Sequence, residues 1–385
     1  MSFKWSVVSR NYKLKIEFFG WWGILMRCKI NKFAICFFLL ILFFTSRLYS
    51  QSESTPVTLY QHSGMCDASA AVFIDSSRFI VANDEDNILR LYRNDQPGAP
   101  LKTFNLNKSL DITIDRKNLE ADIEGATYLN NKIYWITSHG RNKEGMLRPN
   151  RYRLFATSIQ GAGNNLNINQ TGYLYKDLIQ DLIQDKQFMS LKLRDASMLE
   201  IPRYKRLSPT ENGINIEGLS ATADGKSLLI AFRNPRPGNK ALIIEIKNPD
   251  AVILAQAKPV FSPPILLDLG GLGIRSIEYS HALSSYIIIA GSHSGKAEYR
   301  IYKWSGSQNE LPVLLEKETN LLKNIKPFNP EAIVLYPNSK SFQVLSDDGD
   351  IKMSGVKDSK KVDCSCKDLP DPKMKSFRNV WIGDI

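Results

Sequence analysis

The sequence predicts an all-β protein with the architecture of a β-propeller, and three observations predict it. A pattern of an acidic residue, an apolar strand, a turn and a second apolar strand recurs along the chain. Most copies are separated by the length of one propeller blade, roughly 40 to 60 residues. Another strand-like segment follows each copy, so the repeating unit is a sheet of three or four antiparallel strands.

Each copy reads as a hairpin of two short strands joined by a turn rich in Asn, Asp, Gly or Ser. The four clearest copies are "IEGATYLNNKIYWITSHG" (123–140), "IEGLSATADGKSLLIAFRNP" (216–235), "IEYSHALSSYIIIAGSHSG" (277–295) and "PEAIVLYPNSKSFQVLSDDG" (330–349). A weaker copy, "CDASAAVFIDSSRFIVANDEDN", covers residues 66–87. The hairpins therefore predict five clear blades.

The interval between the second and third copies is longer than the others. It contains "YKDLIQDLIQDKQFMSLKL" (175–193), whose apolar pairs recur at helical spacing and predict a short helical insertion near 175–190. The same interval has room for a degenerate blade near 191–207. We therefore predict six blades, with five or seven left open. The apolar tail "SFRNVWI" (376–382) is predicted to supply the strand that closes the ring.

The N-terminal region has the pattern of a secretory signal. "MRCKINKFAICFFLLILFFTSRLYSQ" joins a basic segment to an apolar core of about a dozen residues and a small residue at Ser50. Residues 1–50 are predicted to be a signal peptide that begins at Met26, and residues 51–385 a single propeller domain. We expect export to the periplasm or the exterior, with no transmembrane segment after cleavage. An uncleaved N-terminal anchor is the alternative.

The net charge of +11 does not indicate nucleic-acid binding once it is located along the chain. Residues 1–50 hold eight of the 50 basic residues and one of the 39 acidic residues. The remainder has 42 basic and 38 acidic residues, a net charge of +4. The basic excess therefore belongs mainly to the leader, and a nucleic-acid partner is not expected.

The cysteines agree with export. Beyond the leader the chain contains Cys66, Cys364 and Cys366. A bridge from Cys66 to either of the other two would tie the start of the propeller to its end and lock the ring. Three unpaired thiols are the alternative. The "CSC" motif lacks both the ligand spacing and the nearby His of a zinc site.

The repeated acid is the main candidate for chemistry. If the motif marks the innermost strand of each blade, the acids converge on one axial site, with Asp67, Glu124, Glu217, Glu278 and Glu331 as its members. Carboxylates held together must be protonated, paired with basic groups or bound to a cation, and Ca²⁺ suits such oxygen ligands. Two alternatives remain: acids that only join neighbouring blades through backbone N–H groups, and an acidic site paired with arginines.

The loops after the second strands hold a second group of candidates. Arginine binds carboxylates and phosphates with two parallel hydrogen bonds, so loops of this kind could hold an anionic ligand. The predicted ligand-binding residues are His139, Arg141, Asn142, Arg233, Arg275, His293 and Asp347. Ordinary solvated loop charges are the alternative.

Several long motifs occur along the chain, including "NDEDNILRLY", "DIEGATY", "LDLGGLGIRSIEY", "YIIIAGSH" and "LSDDGD". Together they resemble bacterial domain-of-unknown-function family 3616, and the resemblance spans about residues 60 to 350. The Glu-Gly strand entries are more distantly similar to those of esterase-like phytase propellers and metal-binding gluconolactonase propellers. The family name carries no activity, and a shared fold does not fix chemistry.

Together these features predict an exported, monomeric propeller that binds a small anionic molecule, a divalent cation or both at an acidic channel mouth. A metal-dependent hydrolase of phosphoesters, esters or lactones is one alternative, with a carboxylate, His139 or His293 as general base. A structural or protein-interaction propeller is the other. Whether the protein is an enzyme stays open.

Overall fold

The computed structural model describes residues 58–112, 120–210, 212–293, 298–357 and 360–383. The predicted signal peptide, residues 1–50, and its predicted start at Met26 lie outside the described residues.

Most of the described chain forms five four-stranded antiparallel sheets that resemble propeller blades. Blade 1 contains β2 (Ala70–Asp75), β3 (Arg78–Ala82), β4 (Ile88–Arg93) and β5 (Lys102–Asn105); blade 2 contains β6 (Ile123–Leu129), β7 (Lys132–Thr137), β8 (Leu154–Gln160) and β9 (Asn167–Tyr175). Blade 3 contains β10 (Asn215–Ala221), β11 (Leu228–Asn234), β12 (Ala241–Ile246) and β13 (Ile265–Leu267); blade 4 contains β14 (Gly273–Ser280), β15 (Ser285–Gly291), β16 (Tyr299–Trp304) and β17 (Val313–Leu314). Blade 5 contains β18 (Pro330–Leu335), β19 (Phe342–Ser346), β22 (Ser376–Ile382) and β1 (Leu59–Ser63). The remaining hairpin pairs β20 (Lys352–Lys357) with β21 (Lys360–Ser365).

The second strand of each blade is an apolar run buried on both faces. Every residue of β15, for example, is buried. Because a blade is covered by a neighbour on each side, its middle strands lose the alternation of polar and apolar residues that marks a half-exposed sheet. This explains why "YIIIAG" reads as a continuous apolar segment.

Five buried hydrophobic clusters join the blades into a closed ring. Successive clusters link blade 1 to 2, 2 to 3, 3 to 4 and 4 to 5. A fifth cluster, which contains Val81 of blade 1 and Leu345 of blade 5, closes the circle. The first strands of the blades, β2, β6, β10, β14 and β18, contact one another in the same order around the ring. These inner strands line a central channel.

Blade 5 is built from both ends of the domain. Its outermost strand, β1, pairs with β22, which in turn pairs with β19. The prediction that residues 376–382 supply the closing strand is confirmed. Cys66, just before blade 1, forms a disulfide with Cys366, which directly follows β21, and this confirms the predicted link. Cys364 is the free thiol.

The helices occupy connections between strands. They are α1 (Leu178–Gln184), α2 (Leu193–Ser197), α3 (Pro249–Ala255) and α4 (Glu316–Lys323), with 3-10 turns at Pro149–Arg151, Gly163–Asn165, Lys186–Leu191, Lys205–Leu207, Pro237–Asn239, Cys366–Asp368 and Pro372–Met374. The predicted helical insertion near 175–190 is confirmed by α1, whose buried face packs between blades 2 and 3. None of the described helices is long and apolar enough to cross a membrane.

The segment predicted as a degenerate blade is not a sheet. Residues 191–207 hold α2 and the turn at Lys205–Leu207, and their one strand-like contact is an isolated bridge from Arg203 to Met146. Leu191, Leu193 and Ala196 are buried in the hydrophobic cluster between blades 2 and 3 instead. The described residues therefore form five blades. The sequence predicted six blades and left five open as an alternative.

Candidate functional site

Four of the five inner strands carry a β-bulge near their start. The residue left out of the ladder is Glu124 in β6, Glu217 in β10, Arg275 in β14 and Glu331 in β18. A bulge adds one residue to one strand and turns its side chain away from the regular pleat. All four bulges lie at the same end of the channel, so their side chains form one charged mouth.

The glycine after the acid allows neighbouring inner strands to pack closely. A Cβ on Gly125 would lie 2.9 Å from Ile136 Cγ2 and 2.9 Å from Leu219 Cβ. Leu219 belongs to the next inner strand, so the contact is between blades. Gly125 is therefore required for close packing and not for a positive φ, which falls on Asp122 at 61°.

Three of the bulge residues neutralise one another. The Arg275 guanidinium donates to Glu331 Oε1 from Nε at 3.0 Å, and its Nε lies 3.4 Å from Glu217 Oε2. Arg233 Nη1 donates to Glu217 Oε1 at 2.6 Å. Two acids and two arginines therefore form a buried chain of ion pairs across blades 3, 4 and 5. This arrangement corresponds to the arginine-paired alternative among the sequence predictions.

Hydrogen bonds hold this ion-pair chain in place. Arg233 also donates from Nη2 to the Ser292 carbonyl at 2.8 Å, and Arg275 donates from Nη1 to Asn329 Oδ1 at 2.8 Å. Asn215 Nδ2 donates to Glu217 Oε1 at 2.7 Å. Glu217 Oε2 accepts no hydrogen bond and has only the ion-pair contact with Arg275. Such additional hydrogen bonds offset part of the cost of burying the charges.

Blades 1 and 2 contribute a second group with a different charge balance. Asp84 follows β3, Asp122 precedes β6, and Glu124 occupies the bulge. One carboxylate oxygen from each lies within 4.8 Å of the others. We call Asp84, Asp122 and Glu124 the carboxylate triad. Two oxygens bound to the same Ca²⁺ at about 2.3–2.6 Å can be no more than about 5 Å apart, so this spacing fits one shared ion.

The surroundings of the carboxylate triad disfavour three bare negative charges. Burial and the neighbouring Asp347, Asp67 and Asp122 hold the pKa of Asp84 well above its ordinary value. Burial, Asp122 and Glu217 likewise hold the pKa of Glu124 well above its ordinary value. Asp84 Oδ1 is buried and accepts no hydrogen bond. Such groups must take up protons or a cation.

One arginine serves the carboxylate triad and divides its charge between two acids. Arg151 Nη1 lies 2.7 Å from Asp122 Oδ2, and its Nη2 lies 2.6 Å from Glu120 Oε1. Burial raises the pKa of Asp122, although Arg151 opposes this increase. Asp122, Glu120 and Glu124 therefore share the charge of one guanidinium, that of Arg151. The group retains an excess of negative charge, unlike the chain of ion pairs beside it.

Asp67 and Asp347 form a separate acidic contact between blades 1 and 5. They meet in an isolated bridge, and Asp347 accepts from Gly349 N at 2.9 Å and from Asn329 Nδ2 at 3.2 Å. Burial, followed by Asp347 and Glu85, raises the pKa of Asp67 to about 8. Asp67 thus lies near the charged mouth but outside the carboxylate triad.

Glu278 does not belong to the charged mouth. In β14 the bulge residue is Arg275, and Glu278 lies three residues further along, in regular register opposite Ile287. Its Oε1 accepts from Thr127 Oγ1 at 2.9 Å. The alignment of "IEY" with "IEG" in the sequence was therefore wrong by three residues, because one acid in an apolar strand does not define the phase of the repeat.

Three predicted ligand-binding residues lie in the loop after β7 and make local contacts. His139 is buried and donates from Nδ1 to the Thr137 carbonyl at 2.8 Å; burial lowers its pKa to about 4. Arg141 is also buried and donates to the carbonyls of Gly145, Ser197 and Met198. Asn142 Oδ1 accepts from Met146 N and shapes the turn. The contacts of these three residues are within the loop and to the α2 segment.

His293 lies at a different cavity. Its Nε2 is 3.3 Å from Arg236 Nη2, and both residues line a recess of about 330 Å³ beside α2. The predicted ligand-binding set is therefore divided. Arg233, Arg275 and Asp347 reach the charged mouth, whereas His139, Arg141, Asn142 and His293 do not make the contacts that define it.

Two members of the carboxylate triad were missed by the sequence reasoning. Asp122 could have been found from "DIE", because it lies only two residues from Glu124 in the same motif. Asp84 lies in "NDED" after the second strand of the preceding blade. Its proximity to Glu124 depends on the packing of blade 1 against blade 2, which no local pattern shows.

Comparisons with known proteins assign no ligand to the chain. No curated protein matches the chain. Glutaminyl cyclase of Myxococcus xanthus is similar at 14% identity and TM-score 0.39, over 74% of this chain and 88% of that chain. Virginiamycin B lyase of Staphylococcus aureus is similar at 8% identity and TM-score 0.37, over 85% and 100%. The Cps50 (Swd1) β-propeller domain of Myceliophteria thermophila is similar at 9% identity and TM-score 0.36, over 85% and 99%. Likeness at these levels says nothing about what this chain binds.

The family comparison agrees with the motifs read from the sequence. Residues 67–155 and 163–343 match a family described as protein of unknown function. The matched ranges contain every inner strand and all of the charged mouth. The chain therefore belongs to the DUF3616 family.

Proposed function

We propose that this protein binds a divalent cation at the carboxylate triad, with Ca²⁺ as the best fit. The observation that carries the proposal is the meeting of Asp84, Asp122 and Glu124 oxygens within 4.8 Å. All three ligand groups are hard oxygen donors, which Ca²⁺ and Mg²⁺ prefer to nitrogen or sulfur. Ca²⁺ is favoured because it tolerates irregular coordination, whereas Mg²⁺ requires a near-ideal octahedron.

The contrast with the neighbouring ion pairs supports this assignment. Glu217 and Glu331 have Arg233 and Arg275 as counter-charges, so they need no cation. The charged neighbours that shift the pKa of Asp84 and Glu124 are carboxylates, which raise it, whereas Arg275 and Arg233 lower the pKa of Glu331. A divalent ion would supply the positive charge that Arg151 alone does not.

The test is a thermal-unfolding titration of protein stripped of metal with a chelator. Ca²⁺ at a hundredfold excess over its dissociation constant should add about 2.7 kcal/mol to the free energy of unfolding. Asp84→Asn and Glu124→Gln should abolish most of this gain while preserving shape. Mg²⁺ should give a smaller gain than Ca²⁺.

Glu245→Gln is the matched control. Glu245 is a half-buried acid of β12 that accepts from Ser262 Oγ at 2.6 Å, remote in sequence from the carboxylate triad. This variant should retain the full Ca²⁺ gain. A wild-type protein that gains nothing from Ca²⁺, or an Asp84→Asn variant that gains as much as the wild type, would refute the proposal.

We also propose that the protein is exported. Support comes from the leader pattern of residues 1–50 and from the disulfide between Cys66 and Cys366, because disulfides persist in oxidising compartments. Expression with a C-terminal tag, followed by fractionation and N-terminal sequencing, tests the proposal. Cleavage after Ser50 is expected, and a full-length chain retained in the cytoplasm would contradict export.

A further inference from the structure

A cavity of about 350 Å³ lies at the end of the channel opposite the charged mouth. The last residues of the inner strands line it, including Phe73 of β2, Tyr128 of β6, Ala221 of β10, Tyr279 of β14 and Leu335 of β18. Tyr128 follows Glu124 by four residues, which corresponds to about 13 Å along a strand. The cavity is therefore a site distinct from the carboxylate triad.

Aromatic rings form much of the cavity wall. Phe73 and Tyr128 come from adjacent blades, and their ring centroids are 5.5 Å apart. Tyr279 meets His281 edge to face with centroids 5.0 Å apart. Tyr336 completes the aromatic part of the lining. Phe73, Tyr128 and Tyr279 are each only half-buried, so ring surface remains available to an occupant.

The only carboxylate in the lining belongs to Glu278. Thr127 Oγ1 donates to it at 2.9 Å and itself accepts from Ala221 N at 3.0 Å. The single hydroxyl proton of Thr127 is thus directed at Glu278. Among the described residues no Lys or Arg pairs with Glu278, and burial holds its pKa well above the ordinary value. A positively charged occupant would stabilise the ionised carboxylate.

We propose that this cavity binds a small organic cation that carries an ammonium group, with Glu278 as counter-charge and aromatic faces around the alkyl groups. The faces of Tyr and Phe attract cations, and the attraction grows when water is excluded. A metal ion fits the site poorly, because it needs several oxygen ligands and this lining offers one carboxylate. The proposal is independent of Ca²⁺ binding at the other end of the channel.

Choline and its neutral analogue of the same shape, 3,3-dimethylbutan-1-ol, test the proposal by calorimetric titration of the whole protein. Choline should bind at least about tenfold more tightly, because cation–π attraction and the buried counter-charge both favour the charged compound. Equal affinity for the two compounds would show that the cavity selects shape alone. Equal affinity, or no choline binding, would overturn the proposal.

Two variants identify the groups responsible. Glu278→Gln keeps the acceptor for Thr127 but removes the charge, and should weaken choline binding about tenfold. Tyr128→Leu removes one ring from the wall and should also weaken it, which keeps the test decisive if the first variant fails to fold. Glu245→Gln is the control, because Glu245 also accepts from a hydroxyl but lies outside the cavity lining. Undiminished choline affinity in folded Glu278→Gln would overturn the proposal.

Discussion

Glu124 and Glu217 occupy equivalent bulges in adjacent blades, yet their neighbours give them different electrostatic surroundings. Glu217 lies between Arg233 and Arg275, whereas Glu124 lies among other carboxylates. Position in the repeat therefore does not determine what an acid does. The presence of an arginine within reach decides whether the acid is paired between blades or is left without a counter-charge of its own.

This difference predicts opposite effects of the same substitution. Glu217→Gln leaves two buried guanidinium groups with one counter-charge fewer and should lower the free energy of unfolding by about 3–5 kcal/mol. Glu124→Gln in metal-free protein relieves repulsion among carboxylates and should leave stability equal or higher. Chemical denaturation of both variants in the presence of a chelator measures the difference. Equal losses would mean that both acids serve only to hold the blades.

His62 is a buried titratable residue of β1, the strand that pairs with the closing strand β22. It is buried in β1 against Phe79, Tyr92 and Phe377, and accepts at Nε2 from Asn379 Nδ2. Burial lowers its pKa from 6.5 to about 4. Between these values the unfolded chain binds a proton that the folded protein excludes, so stability falls as the pH falls.

The predicted loss from His62 develops between about pH 6.5 and pH 4 and amounts to at most about 3 kcal/mol. His62→Gln keeps a hydrogen-bond acceptor but does not titrate, so its unfolding free energy should depend less steeply on pH in this window. Denaturation at several pH values measures the slope. The exposed His281 provides the control His281→Gln, which should behave as wild type. An unaltered slope in His62→Gln would contradict the assignment.

The inner strands β6 and β10 pack so closely at Gly125 that there is no room for a methyl group. Gly125→Ala would place its Cβ 2.9 Å from both Ile136 Cγ2 and Leu219 Cβ, and should cost about 1–3 kcal/mol of unfolding free energy. Gly383→Ala is the control, because its nearest neighbour would be Ser341 Oγ at 3.6 Å. Thermal unfolding compares the two, and an unaffected Gly125→Ala would show that the inner strands can separate.

The disulfide between Cys66 and Cys366 covalently joins the start of blade 1 to the segment that precedes the last strand of blade 5. It spans 300 residues of sequence, so replacing both Cys66 and Cys366 by Ala should lower the free energy of unfolding by about 2–5 kcal/mol. Denaturation with and without reductant measures the loss. Cys364→Ser should behave as wild type, because Cys364 is unpaired. A reductant-insensitive wild type would contradict this role.

The sequence predicted the blades where local signals were sufficient. In residues 123–137 the paired apolar runs and the Asn130-Asn131 turn specify a hairpin without reference to the rest of the fold. The blade count could not be predicted, because the sequence of the helical residues after α1 does not show that they form no sheet. The position of Glu278 could not be predicted either, because a single acid in β14 does not show how this strand aligns with the other inner strands. The carboxylate triad depends on contact between two blades, so only one of its three members, Glu124, was predicted from the motif.

Because β1 pairs with β22, blade 5 can be completed only after the C-terminal strand has been synthesised. β1 is the first described strand to leave the ribosome, but the strand it pairs with is the last. Until that partner arrives, blade 5 exposes an unpaired edge of the kind that recruits other chains. A chain truncated before residue 376 would keep this edge permanently, so loss of a short C-terminal segment should produce aggregation out of proportion to its length.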